Sequence, residues 1–413
     1  MRLDPKNHDW MRDNAVLAVL DALPAGTTRF VGGCVRNGLL DEPVADIDLA
    51  TQLEPAGVKS ALEQAGIRSV PTGIEHGTIT AVVESQPIEI TTLRKDVETD
   101  GRRAVIAFTK DWAEDAIRRD FTINALYADP DGTLHDPSGQ GLDDITARRF
   151  RFVGSADDRV KEDYLRILRY FRFLAWYTRD KSIDAEALKA CRENRHGLKK
   201  LSTERVWSEL KKLLSAPDPS RAVRIMQTND ILDVVLPEAS NTEGLDLMIK
   251  FEKAHDLETD PLLRLMAMAG RDEMAMAGLS KRLKLSNSEK SRILSWAGDR
   301  TELRPDMDEK DRKRAVYSAG AQVVSDRATL RAVGSEDVIV AERWFDVAKF
   351  AQNWEIPEFP IKGRDLKKAG VADGPQMGKI LRSLEALWVK SGFEADEKKL
   401  LLALNLIMIQ MNK

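Results

Sequence analysis

The hydrophobic pattern of the chain changes character once, near residue 157, and that change limits the architectures open to it. Before it, short β-branched and aromatic runs alternate with helical stretches. Thr28-Arg29-Phe30-Val31 predicts a strand that runs into Gly32-Gly33 and then a short helix from Cys34 to about Leu40. A second strand is predicted over residues 45–51, and a helix over 55–66 entered at Pro55. The apolar runs 79–83 and 88–92 flank a turn at Ser85-Gln86-Pro87 and predict an antiparallel hairpin. Residues 95–104 are polar and read as a mobile loop, and helix resumes near Trp112. Beyond 157 the pattern is almost entirely helical, with Leu165, Ile167, Leu168, Phe171, Leu174 and Ala175 forming a stripe near the 3.6-residue period. Breaks fall near Pro217, Pro237, Pro261, Pro305 and Pro357. The expectation is an α/β head carrying a long helical body.

At 413 residues the chain is too long for one compact domain. No apolar run approaches the roughly 18 residues of a membrane span. The first ten residues lack the apolar core of a secretion signal, so a cytoplasmic protein is expected. Two cysteines, Cys34 and Cys191, cannot build a disulfide framework or a Cys-rich zinc site. The net charge of −4 argues against a nucleic-acid binder, but its distribution does not. Residues 1–147 carry 14 basic and 25 acidic side chains, residues 148–220 carry 18 and 11, and residues 221–413 carry 31 of each. An acidic block followed by a basic belt suits a metal among the acids and a polyanion along the belt.

The sharpest local feature is Asp46-Ile47-Asp48. On a strand, alternate side chains share a face, so both carboxylates would point the same way. Two such groups repel unless a cation lies between them, and magnesium, which takes oxygen ligands, is the expected occupant. Alone, Asp-X-Asp is more often a solvated strand edge. Its neighbours change the balance. Gly32-Gly33-Cys34-Val35-Arg36 lies upstream between a strand and a helix, where backbone N–H groups can approach an anion and Arg36 can reach a phosphate. Glu89, in Ile88-Glu89-Ile90, would be a third carboxylate if its strand flanks the one carrying the pair; otherwise it is a surface hairpin residue. Arg118-Arg119-Asp120-Phe121-Thr122-Ile123-Asn124 offers paired arginines for phosphate or base contact, or a basic helix end. In Glu162-Asp163-Tyr164-Leu165-Arg166-Ile167-Leu168-Arg169-Tyr170-Phe171-Arg172, Asp163 and Arg166 stand i, i+3 on a predicted helix, with Arg169 and Arg172 continuing the row. A solvated salt-bridge face explains that spacing equally well. A carboxylate acceptor beside a guanidinium donor, however, matches the edge shared by cytosine and adenine. Uracil and guanine present the reverse pattern and would leave buried groups unpaired.

These motifs, with Leu201-Ser202-Thr203-Glu204-Arg205-Val206, stand in the order and at the spacing of the class II tRNA nucleotidyltransferases, or CCA-adding enzymes, which are related to bacterial poly(A) polymerases. The chain resembles that family over about residues 28–215. The stretches Lys362-Gly363-Arg364-Asp365-Leu366 and Gly374-Pro375-Gln376-Met377-Gly378 are similar to its bacterial C-terminal segment. The resemblance implies an α+β, polymerase-β-like head with a mostly antiparallel sheet over 1–147, then all-α neck, body and tail over 148–220, 221–350 and 351–413. It implies Asp46 and Asp48 as Mg2+ ligands and catalytic residues with Glu89. It further implies a nucleotide site of Gly32, Gly33, Arg36, Arg119, Asp163, Arg166, Arg169 and Arg172, with Asp163 and Arg166 reading the base. CTP, ATP and tRNA are the implied partners, with no membrane. The tRNA backbone would run along the neck and along patches such as Lys211-Lys212 and Lys281-Arg282-Leu283-Lys284, which fit ordinary helix faces as well.

Asn37 stands where the family usually has Asp after Val-Arg, which puts an acceptor for Arg36 in question. Asp136-Pro137-Ser138-Gly139-Gln140-Gly141 departs slightly from the usual Gly-Gly ending. Residues 94–103 are similar to the family's flexible loop tied to the switch from C to A, which favours full CCA addition over CC-only addition. A-only addition and polyadenylation are the alternatives, the latter lacking its basic signature here. A phosphohydrolase would need partners for His255-Asp256 that five scattered histidines do not supply. An inactive RNA-binding module conflicts with the intact carboxylate pair.

Overall fold

The computed structural model describes residues 2–100, 103–178 and 183–411. The chain forms two compact units, Met1–Pro237 and Glu238–Lys413.

The first unit is built on a seven-stranded mixed sheet. Its strands are β1 (Thr28–Val31), β2 (Asp48–Thr51), β3 (Arg68–Gly73), β4 (Thr78–Val83), β5 (Gln86–Thr92), β8 (Tyr127–Ala128) and β9 (Leu134–His135), in the order β3-β4-β5-β2-β1-β8-β9. Every pairing is antiparallel except β2 with β5. The β4–β5 hairpin turns at Glu84 and Ser85, both left-handed (φ 49° and 69°). Consecutive left-handed residues match the twist of a two-residue hairpin, so the turn lies earlier than the proline suggested. Between β5 and the next helix, β6 (Arg94–Asp100) and β7 (Arg103–Phe108) pair as a separate antiparallel ribbon. The polar stretch 95–104 is thus a hairpin rather than an irregular loop, with Gly101 and Arg102 outside the described residues. The β-branched and aromatic residues that end its second arm (Ile106, Phe108) favour the extended form over the polar composition.

Helices α1 (Asn14–Ala22), α2 (Gly33–Leu40), α3 (Pro55–Gln64), α4 (Trp112–Ile117) and α5 (Gly141–Thr146) accompany the sheet. After them come α6 (Ala156–Glu162), α7 (Leu165–Tyr177), α8 (Ala185–Glu193), α9 (Thr203–Leu214), α10 (Ser220–Thr228) and α11 (Leu232–Val235). An aromatic cluster fastens α7 to the segment that follows α4. Phe121 packs on Phe152 (4.8 Å between centroids) and edge-on against Phe173 (5.2 Å), and Phe150 stacks on Phe173 (5.6 Å). Phe121, Phe150 and Phe152 are fully buried, each worth roughly 2 kcal/mol of removed apolar surface. That stripe sets which face of α7 turns inward and therefore which arginines turn the other way.

The second unit is helical throughout its described length: α12 (Thr242–Ala254), α13 (Pro261–Met268), α14 (Glu273–Arg282), α15 (Asn287–Gly298), α16 (Glu309–Ala319), α17 (Ala321–Val333), α18 (Val338–Asn353), α19 (Gly363–Lys368), α20 (Pro375–Lys390) and α21 (Glu397–Met411). Pro261 begins α13 rather than interrupting a helix, as suits a residue without an N–H. No described helix is long and apolar enough to cross a membrane.

Candidate active site

The turn between β1 and α2 shows why two glycines occupy it. Gly32 has φ +72°, a conformation open to glycine, and its carbonyl accepts from Arg36 N (3.0 Å) to start the helix. No side chain caps α2, so its first N–H groups are left for another acceptor. Gly32 and Gly33 form one wall of a cavity of about 660 Å3, with Asp46 and Asp48 beside them. Arg36, Arg119, Arg169, Arg172 and Lys212 supply five cations to the lining, and Asp120, Asn124, Phe173, Trp176 and Tyr177 complete it.

The cations are held in place by a relay of side chains. Arg169 Nε donates to Asp120 Oδ2 (2.7 Å), Asn124 Nδ2 donates to Asp120 Oδ1 (3.0 Å), and Arg36 Nη1 donates to Asn124 Oδ1 (2.7 Å). The sequence Arg-Arg-Asp-Phe-Thr-Ile-Asn is therefore a bridge between α7 and α2, with Phe121 plugged into the core. Burial pushes the Asp120 carboxyl up, but Arg169, Asn124 and Arg166 outweigh it and hold it at about 2. Arg119 is oriented the same way. Its Nε and Nη2 donate to Asp115 Oδ2 (3.1 and 2.9 Å), to which the Tyr127 hydroxyl also donates (2.7 Å). Its Nη1 is turned toward Gly32, 3.7 Å from where a Cβ would sit. Asp115 is likewise held at about 2: burial raises it, and Arg119 and Arg118 more than compensate.

Arg36 differs from these. It is 8% exposed, and its hydrogen-bond partners are all neutral: Asn37 Oδ1 (3.1 Å from Nε, 2.8 Å from Nη2), Asn124 Oδ1 and the Tyr177 hydroxyl (2.9 Å). Asn37 thus keeps the acceptor that the missing Asp put in doubt and omits only the charge. Burial lowers the Arg36 pKa. Three guanidinium groups surround the Phe173 ring, those of Arg36, Arg169 and Arg172, at 5.0, 5.6 and 4.6 Å. Arg172 lies 3.1 Å from Glu209 as an ion pair, but its buried Nε has no aligned hydrogen-bond acceptor. Like charges gathered this closely favour a polyanionic guest.

On the carboxylate side, β2 begins at Asp48, so Asp46 lies in the irregular approach and not on the strand. The pair reaches the same cavity, but through a bend rather than through strand alternation. Burial, then the negative charges of Glu89 and Asp46, push the Asp48 pKa up, and Arg119 pulls it down. β5 does flank β2: Asp48 and Glu89 are register partners. Glu89 nevertheless lines a neighbouring cavity, not this one. No group of three or more His, Cys, Asp or Glu side chains among the described residues is placed to hold a metal, so the expected trio of ligands is not assembled. Two mutually repelling carboxylates opening onto this cavity do fit a divalent ion that completes its shell with substrate oxygens.

Asp163 and Arg166 are not brought into the cavity wall. Asp163 ends α6 in an extended conformation, outside the helix that holds Arg166. Its carboxylate accepts from Leu165 N (3.1 Å) and from Arg205 (2.6 Å). Arg166 donates to Glu162 (2.5 Å) and to the carbonyl oxygens of Arg159 (2.8 Å) and Arg118 (3.3 Å). A helix break between residues 162 and 165 undid the i, i+3 geometry that the spacing suggested. Conversely, Phe173, Trp176 and Tyr177 line the cavity without having been singled out, and Lys212, expected along the tRNA backbone, lines it as well. The helical period from Arg169 already points to Phe173 and Trp176, whereas nothing in the local sequence ties Lys212 on α9 to this cavity. Cys34 is buried, donates to the Val31 carbonyl (3.3 Å) and has its thiol pushed up to about 11, which fits packing and not nucleophilic chemistry.

A mixed sheet that presents an open helix N-terminus and a carboxylate pair to a cluster of oriented arginines defines a nucleotidyltransferase. Residues 28–151 match the Poly A polymerase head domain family, and residues 182–242 match the family described as a probable RNA and SrmB-binding site of polymerase A. The chain is 37% identical to human mitochondrial CCA tRNA nucleotidyltransferase 1 over 377 residues, covering 90% of this chain and 85% of the relative. It is 30% identical to the CCA-adding enzyme of Pediococcus pentosaceus over 381 residues, 91% and 93% of the two chains. The structure of the Bacillus stearothermophilus CCA-adding enzyme in complex with CTP superposes with a TM-score of 0.71 at 25% identity, covering 97% and 98%. The chain belongs to the CCA tRNA nucleotidyltransferase family.

Proposed function

We propose that this protein adds C, C and A, without a template, to the 3′ end of tRNA from CTP and ATP, releasing pyrophosphate. The observation that carries the reading is Arg36: a buried guanidinium bonded only to neutral acceptors, beside an uncapped helix N-terminus, opposite Asp46 and Asp48. A group so placed has no carboxylate bonded to it, a role that a triphosphate would fill. Gly32 and Gly33 allow the phosphates close to the backbone, while Arg119, Arg169 and Arg172 orient them. The terminal ribose 3′-oxygen attacks the α-phosphorus in line, the bond to the β-phosphate oxygen breaks, and pyrophosphate leaves. Asp46 and Asp48 would hold Mg2+, with Glu89 next in register to Asp48. Bound there, Mg2+ lowers the pKa of the attacking hydroxyl and offsets charge on the triphosphate. Most of the rate comes from positioning and charge already in place.

In this reading Asp163 and Arg166 recognise the base, exchanging Arg205 and Glu162 for the amine and ring nitrogen of cytosine or adenine. Residues 148–220 would act as the neck that carries them, and 221–350 and 351–413 as tRNA-binding body and tail. A cytoplasmic location is the simplest setting for two buried, unpaired cysteines.

The test is incorporation of labelled nucleotides into tRNA transcripts ending before the first C, after CC, or in an unstructured RNA. Full CCA addition extends the first with CTP and then ATP, the second with ATP alone, and leaves UTP and GTP unused. Addition of A alone, of CC alone, or a long A tract on any RNA would each replace it with a different member activity.

A further inference from the structure

Asp46 and Asp48 line the cavity described above and a second one as well. The second cavity, about 620 Å3, is lined by Trp10, Asp13, Asp46, Asp48, Gln86 and Glu89, among others. Its volume falls within the roughly 300–1,000 Å3 of small-ligand sites. Its wall is the chemical opposite of the first. It includes four carboxylates and no Lys, Arg or His, so a triphosphate would be repelled there. A ribose is neutral and donates through its hydroxyls, which is what a carboxylate wall accepts. Trp10, half-buried, adds a flat aromatic surface.

The sequence goes to some length to hold that ring beside the carboxylates. Trp10 meets Phe30 of β1 edge-on (5.0 Å, 84°). It also lies over Gly38 of α2, where a Cβ would come within 3.3 Å of it. The ring is thus braced by the strand and helix that enclose the glycine turn. Its Nε1 has no hydrogen-bond partner among the described residues, so packing alone fixes it.

We propose that this second cavity receives the terminal nucleoside of the RNA acceptor, with Trp10 as the platform on which its base stacks and the shared carboxylates facing its 3′-hydroxyl. The assignment rests on the nucleotidyl-transfer reading above. It gives each substrate its own chamber, with the reacting oxygen and phosphorus meeting at Asp46 and Asp48.

The experiment uses the full chain and a tRNA transcript ending in CC, with ATP as the incoming nucleotide. W10A raises KM for the transcript about 10-fold, in the range of one lost base–aromatic stack, and leaves KM for ATP unchanged. W10F, which keeps a smaller aromatic face and drops the unused N–H, stays within a few-fold of wild type. A transcript whose 3′-terminal base is 2-aminopurine is quenched on binding wild type and W10F but not W10A. An unchanged transcript KM in W10A, persistent quenching, or a KM for ATP that rises in step would overturn the platform, the last because it marks a brace for α2 only. A wild-type chain that incorporates nothing sinks the parent reading instead, and the 2-aminopurine signal still decides the platform.

Discussion

Arg264 and Arg36 are both nearly withdrawn from solvent, 1% and 8% exposed, yet their surroundings answer them differently. In the second unit, Arg264 on α13 meets Glu252 on α12, through Nε at 3.1 and 3.0 Å and Nη2 at 2.5 Å. The pair is closed: charge meets charge inside a helical core. In the first unit, Arg36 borders a cavity and meets only amide and hydroxyl oxygens. A closed pair specifies packing, whereas a buried cation with neutral partners is a site kept ready for something to arrive. Arg172 lies between the two cases: it pairs with Glu209 at 3.1 Å, but its Nε is not aligned for a hydrogen bond, whereas Arg292 is bonded to Asp260 and Asp326.

The contrast can be broken first at the carboxylates. D48A should cut kcat for nucleotide incorporation by at least about 10^3-fold while the far-ultraviolet circular dichroism spectrum stays unchanged, as expected where positioned charge dominates catalysis. If near-normal turnover survives, the metal assignment is wrong. At the closed pair the effect should fall on stability instead. E252A removes the carboxylate that the buried Arg264 guanidinium is bonded to and should cost about 3–5 kcal/mol in urea unfolding with KM for CTP unchanged in the folded fraction.

Acid provides the next test. Asp115 and Asp120 are held at about 2 in the folded chain against an ordinary 3.8. Their folded pKa values are depressed, so their contribution is complete above about pH 4 and is lost as the pH falls toward 2. Each contributes about 2 kcal/mol by linkage. Urea midpoints at pH 5 and pH 2.5 should therefore diverge, and less so in D115N, whose slope tests the share of that one carboxyl.

Arg36 sharpens the comparison further. R36M should raise KM for CTP and ATP together by about 10-fold, since it removes a phosphate contact common to both. A change in the preference between the two would move Arg36 from phosphate binding to base choice. The smallest effect concerns Cys34. Its thiol, buried and raised to about 11, should resist alkylation at pH 8 until the chain unfolds.

Much of this was legible in the residues because the signals are local. Two glycines before a helix, a strand period, an apolar stripe on α7 and the Arg-Arg-Asp-Phe-Thr-Ile-Asn run each depend on neighbours within a few positions. The family order of these pieces did the rest. What failed depended on where the backbone bends. Asp46 was placed on a strand that begins two residues later, and Asp163 on a helix that it in fact precedes. Pro43 lies upstream of the first bend without fixing where the strand starts, and no Gly or Pro marks the second.

The sequence by itself determined the head and its helical continuation, the chemistry of Asp46, Asp48 and the arginines, and the pattern that buries Phe121. Periodicity and side-chain type are properties of the chain, and they survive without knowledge of the fold. Only the tertiary structure decided that Asn124 links Arg36 to Asp120, that Lys212 joins the cavity, and that Trp10 lines a second cavity with the same carboxylates. The Arg36–Asn124 bond joins residues 88 positions apart in the chain. Side chains that far apart meet only after the sheet and α7 have packed, because it is packing and not spacing that fixes where each one points.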